Sequence, residues 1–186
     1  MSRRIFLLVV ATVMSSTLVS SPSNALPPRL LTAADAAYGD MEIMFAQAMI
    51  PHHRQAISMS KYALKNSSNA DVIRLAKKII AAQNGEIIQM TSWIKLSGES
   101  MTSSHSMGTS GMLSTTQLAQ LKSLKAKAFD KAFLEAMVEH HAGALQMVLW
   151  ISASTRSDVK AMADKIKKAQ AAEIDAMKKM IAKLGK

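Results

Sequence analysis

Two segments of this 186-residue chain each contain a pair of adjacent histidines flanked by methionines. The first has Met49, His52-His53 and Met59, and the second, 88 residues later, has Met137, His140-His141 and Met147. Imidazole nitrogens and thioether sulfurs together form a soft, mostly uncharged ligand set, which favours Cu(I), or Ag(I) as its mimic, over Mg, Ca or Mn. The residue types therefore predict Cu(I) binding, while Cu(II) or zinc held by the imidazoles alone stays open.

A second block of similar residues follows each histidine pair. The two copies read Gln83-x-x-Glu86-x-x-x-Met90 and Gln170-x-x-Glu173-x-x-x-Met177. The offset between them is 87 residues, so one residue is lost in the turn between the blocks. Two blocks that recur in the same order indicate a duplicated unit.

Both blocks place their polar and apolar residues on one side of a helix. At 100° per residue, the histidine pair and its methionines fall within a stripe of about 120°, which is a core or groove position. Methionine at this spacing is usually core filler, and a single such histidine is usually hydrogen-bonded. Two adjacent imidazoles conserved in both repeats are better explained as ligands, because burying them without partners costs free energy.

The repeated carboxylates, Glu86 and Glu173, have two interpretations. Each can hydrogen-bond a facing imidazole and orient it, or each can lie at the rim of the stripe in solvent. We favour the structural or orienting role over direct ligation, because a carboxylate is a hard ligand and Cu(I) is a soft ion.

The segment between the repeats carries the same kinds of side chain. Residues 97–114 are rich in Gly, Ser and Thr, and they include Met101, His105, Met107 and Met112. An exposed loop has no core to fill, so packing does not explain these methionines. We predict that this loop captures metal.

The composition excludes several kinds of chemistry. The chain has no Cys and 15 Met, which rules out disulfides, thiolate zinc sites, iron–sulfur clusters and cysteine nucleophiles. Thioethers need no deprotonation and form no disulfides, so they suit an oxidising compartment. The net charge of +10 comes from basic residues spread along helix faces, and we predict no nucleic-acid binding.

Residues 1–25 have the features of an export signal. Arg3 and Arg4 precede an apolar stretch over residues 5–14, and Ser23-Asn24-Ala25 is a small-x-small cleavage site. No other apolar run is as long, so we expect a periplasmic or secreted protein without stable membrane insertion. The general secretory and twin-arginine routes both stay open.

Spacings of three, four and seven dominate the rest of the chain and predict an all-α fold. We expect helices over 33–65, 69–97, 115–154 and 156–184, capped at Thr32, Ser68, Ser114 and Thr155. The hairpins 26–97 and 115–186, joined by the loop 98–114, are predicted to form an antiparallel four-helix bundle. We expect one compact domain over 33–184 and a monomer.

The paired blocks resemble a family of exported proteins long labelled a domain of unknown function. Its signature is Met-x-x-His-His-x-x-Ala-x-x-Met followed by Ala-Gln-x-x-Glu-Ile-x-x-Met, and the resemblance covers about residues 40–182. It implies a ferritin-like bundle, a periplasmic or secreted location, and Cu(I) or Ag(I) binding that supports copper resistance and homeostasis. The implied metal-binding residues are Met49, His52, His53, Met59, Met90, Met137, His140, His141, Met147 and Met177.

These observations predict a copper-binding protein that sequesters or carries Cu(I) without catalysis. The expected partners are copper ions and a copper efflux or delivery protein. Copper affinity should weaken as the imidazoles protonate below about pH 6.5. One alternative is a ferritin-like di-metal oxidase, but its Glu-x-x-His pairs are absent from the sequence. The other is a structural helical bundle that binds no metal.

Overall fold

The computed structural model describes residues 38–102, 110–154 and 156–185. Within these ranges the chain is helical and contains no β-strand, which confirms the all-α prediction. The helices are α1 (Asp40–Asn66), α2 (Ala70–Ser97), α3 (Thr115–Ser123), α4 (Ala126–Val148) and α5 (Ser157–Leu184), with a 3₁₀ turn over Leu149–Ile151. The predicted export signal and the predicted caps Thr32 and Thr155 lie outside the described residues.

Two helical hairpins, α1–α2 and α4–α5, pack into the predicted antiparallel bundle. The start of α1, the end of α2, the end of α4 and the start of α5 share one apolar cluster. Neighbouring helices therefore run in opposite directions around the bundle. Helix α3 precedes the second hairpin, and its Leu118 and Leu121 pack against the other apolar cluster.

The prediction of one helix over 115–154 is wrong, because the chain leaves the helix at Leu124 and Lys125. Both residues are extended, and Ala126 follows with φ 49°. The side-chain amide of Asn66 donates to the carbonyl of Lys122 at 2.9 Å, which satisfies a backbone group at the end of α3. The break contains neither Pro nor Gly, so the local sequence gives no signal for it. After Val148 the helix tightens into the 3₁₀ turn.

The helix starts agree with the sequence in part. Ser114 forms the predicted capping box with Gln117. Ser68 is not the cap of α2, because Asn69 takes that position and accepts hydrogen bonds from the backbone N–H groups of Asp71 and Val72. Helix α1 begins at Asp40 rather than near residue 33, with Gly39 extended before it.

The interior has two apolar clusters separated by buried polar side chains. On each of the four long helices the polar residues come between the residues of one cluster and those of the other. We call this group the polar layer, and its members are His52, His53, Gln83, Glu86, His140, His141, Gln170 and Glu173. Burial of the clusters supplies about 25 cal/mol per Å² of apolar area, which anchors the layer at mid-bundle.

Candidate metal centre

The polar layer gathers the four histidines of the repeats into the bundle interior. Helix α1 contributes His52 and His53, and helix α4 contributes His140 and His141. Each of these side chains is at most 1% exposed. Adjacent positions on a helix point about 100° apart. The two residues of each pair therefore meet different neighbours.

One histidine of each pair contacts a glutamate of its own hairpin. His53 Nε2 lies 2.9 Å from Glu86 Oε2, and His141 Nε2 lies 2.8 Å from Glu173 Oε2. Both glutamate side chains are at most 6% exposed, so they are not at a solvated rim. The contacts agree with the orienting role that the sequence suggested for them. The repeat therefore extends to a His–Glu pair in each hairpin.

Each of these glutamates also contacts a lysine of the opposite hairpin. Lys165 Nζ lies 3.4 Å from Glu86 Oε1, and Lys78 Nζ lies 3.3 Å from Glu173 Oε1. Burial opposes ionisation of Glu173, but the hydrogen bond to His141 and the charge of Lys78 outweigh it and hold the pKa of Glu173 below its usual value. Each carboxylate thus links a histidine of one hairpin to a lysine of the other.

The rings of the remaining two histidines lie against each other across the hairpins, in a tilted arrangement. The ring centroids of His52 and His140 are 3.7 Å apart, with an angle of 39° between the ring planes. Burial, with a smaller contribution from the neighbouring His53, lowers the pKa of His52 to about 4. Burial, with a smaller contribution from His52, lowers the pKa of His140 to about 2. Both rings are therefore uncharged at neutral pH and keep a nitrogen lone pair.

Several ring nitrogens of the layer have no hydrogen-bond partner among the described residues. They are Nδ1 of His52, His53 and His141 and both nitrogens of His140. Burial lowers the pKa of His53 as well, in spite of its contact with Glu86. Buried polar atoms without partners are rare and cost free energy. These nitrogens are the atoms that a bound metal ion would satisfy.

The repeated methionines flank the polar layer on both sides. One apolar cluster contains Met49, Met90 and Met147, and the other contains Met59, Met137 and Met177. Met49 and Met137 lie one helical turn before the histidine pairs, where side chains are neighbours. Met59 and Met147 lie nearly two turns beyond them, about 9 Å along the axis. The sequence therefore places Met49 and Met137 one turn from the imidazoles, and Met59 and Met147 farther along the same helices.

The end of the loop between the hairpins rests on the polar layer. His52 Nε2 lies 3.1 Å from the carbonyl oxygen of Ser110. The side chain of Gln55 donates to the carbonyl of Leu113 at 2.9 Å and accepts from its N–H at 2.7 Å. These bonds fix Ser110–Leu113, which we call the docked segment, against helix α1.

Two glycines let the docked segment approach helix α4. A Cβ atom on Gly143 would lie 2.0 Å from the carbonyl oxygen of Ser110, and one on Gly111 would lie 2.4 Å from the carbonyl oxygen of Glu139. Gly111 also has φ 76°, which favours glycine. The residue pattern did not indicate a role for Gln55, Gly143, Lys78 or Lys165. The signal available was that Gln55 and Gly143 occupy equivalent positions in the repeat, 88 residues apart, and differ in type.

The four loop residues predicted to capture metal lie in different surroundings, and two of them fall outside the described residues. Met112 is partly buried in the docked segment and lines a cavity of about 400 Å³ beside α3. Met101 is 41% exposed. His105 and Met107 lie outside the described residues. The loop therefore places one methionine near the bundle and one in solvent, and capture by the loop stays a prediction.

Across residues 38–102, 110–154 and 156–185, no three His, Asp or Glu side chains are grouped so that they could hold a metal ion. In the same ranges, no helix has the length and hydropathy required to span a membrane.

These features define an antiparallel helical bundle with a buried His–Glu layer between methionine-containing clusters. Residues 42–181 match the family model Domain of unknown function (DUF305), and the chain belongs to that family. The family resemblance read from the two blocks is therefore confirmed. None of the curated proteins matches the chain.

Solved structures of the family show the same fold. A DUF305 protein from Streptomyces coelicolor, assigned as secreted, is 28% identical with a TM-score of 0.75, over 78% of this chain and 94% of that chain. A DUF305 fragment from Deinococcus radiodurans is also 28% identical, with a TM-score of 0.72, over 79% and 99% of the two chains.

CopM is a third solved structure to which the chain is similar. Its Cu(I)-bound form is 27% identical with a TM-score of 0.65, over 76% of this chain and 96% of CopM. CopM structures with Cu(II) and with silver, and one without metal, match similarly. Copper and silver binding is thus observed in a protein with this fold.

Proposed function

We propose that this protein binds Cu(I), and Ag(I) as its mimic, through the polar layer and the adjacent methionines. The observation that carries the proposal is the set of five buried ring nitrogens without hydrogen-bond partners. They belong to four histidines that come from both hairpins. The turns next to them carry Met49 and Met137, whose thioethers complete a soft ligand set.

The electrostatics of the layer suit a monovalent soft cation. His52 and His140 are uncharged at neutral pH because burial lowers their pKa values. Glu86 and Glu173 supply negative charge, and each contacts Nε2 of a histidine whose other ring nitrogen has no partner among the described residues. A cation that enters the layer is therefore stabilised by nearby carboxylates without using them as ligands.

We propose a role in copper sequestration or transport outside the cytoplasm, in support of copper resistance and homeostasis. CopM, with its copper-bound and silver-bound forms, supports the choice of metal. The predicted export signal, and the relative from Streptomyces coelicolor that is assigned as secreted, support a periplasmic or secreted location. A copper efflux or delivery protein is the expected partner. We propose binding without catalysis, since the sequence lacks the Glu-x-x-His pairs of a ferritin-like di-metal oxidase.

The test is an anaerobic Cu(I) titration of the full chain against a competing chelator. The double variant Met49→Leu/Met137→Leu keeps the side-chain volumes and removes the two thioethers that lie one helical turn before the histidine pairs. Met162→Leu is the control, because Met162 is buried in the same cluster as Met49 but no histidine lies on its helix in the described chain. We expect at least a tenfold loss of affinity in the double variant and none in the control.

A histidine variant supplies the second arm of the test. His52→Ala/His140→Ala removes the two histidines whose rings are in contact and should lower the copper stoichiometry, with circular dichroism to verify that the helices remain. Unchanged stoichiometry and affinity in both double variants would overturn the proposal.

A further inference from the structure

We infer that one end of the bundle is a docking surface for a membrane that contains anionic lipid. It is the end at which α1 and α5 finish and α2 and α4 begin, and we call it the basic end. The protein would bind there to the lipid surface without inserting a helix. This inference does not depend on copper binding.

The formal charge of the bundle is concentrated in one half. Residues 59–79, 113–137 and 174–185 surround the apolar cluster next to the basic end. They contain twelve Lys or Arg and four Asp or Glu, a net charge of +8. The rest of the described residues contain seven basic and eight acidic side chains, a net charge of −1. A charge distribution this uneven orients the molecule toward a negatively charged partner.

Most of the basic side chains in this half have no acidic partner. Three of the twelve form ion pairs, which are Arg74–Asp71, Lys131–Glu135 and Lys78–Glu173. The other nine are exposed lysines that contact no carboxylate of the described residues. Asp130, one of the four acidic residues, is only 4% exposed. The positive charge is therefore available to a partner outside the fold.

The lysines surround the basic end and do not line a single groove. Lys65 and Lys183 lie in the last turns of α1 and α5. Lys122 lies in the last turn of α3, and the side-chain amide of Asn66 joins that turn to the end of α1. A flat anionic surface can contact lysines of several helices at once, whereas a groove-binding partner would meet one side only.

Helix stability does not explain the lysines at the start of α4. Lys125 is the N-cap of this helix, Lys127 follows in its first turn, and that turn contains no acidic residue. The dipole of a helix disfavours cations at its N-terminus, so these two charges weaken the helix that carries them. Attraction to an anionic partner would offset that cost.

An apolar side chain among the lysines favours lipid over an acidic protein. Leu64 is 40% exposed, and it lies one helical turn after Lys61 and directly before Lys65. Lysine stems lie along apolar groups while their ammonium groups reach polar ones, as at a lipid–water interface. Each Lys near an anionic membrane raises affinity about fivefold, and the attraction fades over about 8 Å at physiological salt.

The test is co-sedimentation with vesicles of phosphatidylcholine, alone or mixed with phosphatidylglycerol. It uses residues 26–186, because the apolar export signal would itself bind lipid and this range contains every described helix. A Deinococcus radiodurans fragment of comparable extent has been solved with the same fold. We expect binding to the mixed vesicles only, and its loss in about 0.5 M NaCl.

Two matched variants of α5 locate the surface. Lys178→Gln/Lys179→Gln/Lys183→Gln removes three charges of the basic end and should weaken binding at least tenfold. Lys160→Gln/Lys167→Gln/Lys168→Gln removes three exposed charges from the other half of the same helix and should weaken it less than threefold. Equal losses would show that net charge alone causes binding, and no binding to the mixed vesicles would exclude lipid as the partner. Either result overturns the inference.

Tryptophan quenching by brominated lipid tests the orientation. Both native tryptophans, Trp93 and Trp150, pack in the cluster of the other half and should not be quenched. The added tryptophan of Leu64→Trp should be quenched. That of Ile88→Trp should not, because Ile88 is 71% exposed but lies in the other half. Quenching in Ile88→Trp without quenching in Leu64→Trp would contradict docking through the basic end.

Discussion

Gln55 and Gly143 occupy equivalent positions in the two repeats, and both hold the docked segment. Gln55 forms two hydrogen bonds with the backbone of Leu113, whereas Gly143 leaves room for the carbonyl of Ser110. The two residues differ in type because the docked segment forms hydrogen bonds with the first repeat and packs its backbone closely against the second. The pseudo-symmetry of the bundle is thus broken where the loop covers the histidines.

Gly143→Ala should destabilise the protein by about 1–3 kcal/mol, because the new Cβ would displace the docked segment from α4. Urea unfolding measures the effect. Gly85→Ala is the control, since nothing lies within 4 Å of a Cβ there. A helical alanine should stabilise that variant by about 0.5–1 kcal/mol. Equal effects of the two substitutions would contradict the role of Gly143.

Gln55→Leu should loosen the docked segment from α1. Two hydrogen bonds are lost, and each contributes about 0.5–1.5 kcal/mol. The losses in Gln55→Leu and Gly143→Ala should not add, because both substitutions release the same segment. Full additivity of the unfolding free energies would show that the two contacts act independently.

Asn69→Ala should lower the unfolding free energy by about 1 kcal/mol, because Asn69 caps α2. Ser68→Ala, one residue earlier, removes an exposed side chain and should have little effect. Thermal unfolding of the two variants distinguishes the positions. A larger effect at Ser68 would contradict the observed cap.

The stability of the metal-free protein should fall as the pH decreases below about 6.5. His52, with a pKa of about 4, and His140, with a pKa of about 2, stay neutral in the folded chain while the unfolded chain takes up protons. Each such group contributes a loss of about 1.4 kcal/mol per pH unit until its folded pKa is reached. The charged groups of the layer and its rim are Glu86, Glu173, Lys78 and Lys165.

The depressed pKa of Glu173 acts in the same direction, since its contribution is lost as acid protonates it. Unfolding free energies between pH 7 and pH 4 measure the slope, and His52→Gln/His140→Gln should flatten it. If the slope in this variant equals that of the unsubstituted protein, the pH dependence of stability does not come from these two histidines.

Copper affinity should resist acid better than the sequence alone suggests. The residue types predicted weakening below about pH 6.5, the range of a free imidazole. Because burial holds the pKa of His52 near 4, protons compete with the metal only at lower pH. Ag(I) affinity should therefore change less than threefold between pH 7 and pH 5.5. A tenfold loss of Ag(I) affinity between pH 7 and pH 5.5 would show that protons already compete with the metal in that range.

The sequence predicted the hairpins, the polar stripe and the burial of the repeated methionines because these follow from helical periodicity and the repeat. It could not predict the break at Leu124, since that depends on a contact with Asn66 from a distant helix. Nor could it pair Lys165 with Glu86, because the register between hairpins is set by the whole packed core. The docking of Ser110 on His52 is likewise a long-range contact.

X-ray absorption at the copper edge of the Cu(I)-loaded protein tests copper binding by imidazole and thioether ligands most directly. We predict a first shell that contains both nitrogen and sulfur, with the sulfur contribution reduced in Met49→Leu/Met137→Leu and unchanged in Met162→Leu. A shell of nitrogen and oxygen alone, identical in all three proteins, would contradict this assignment.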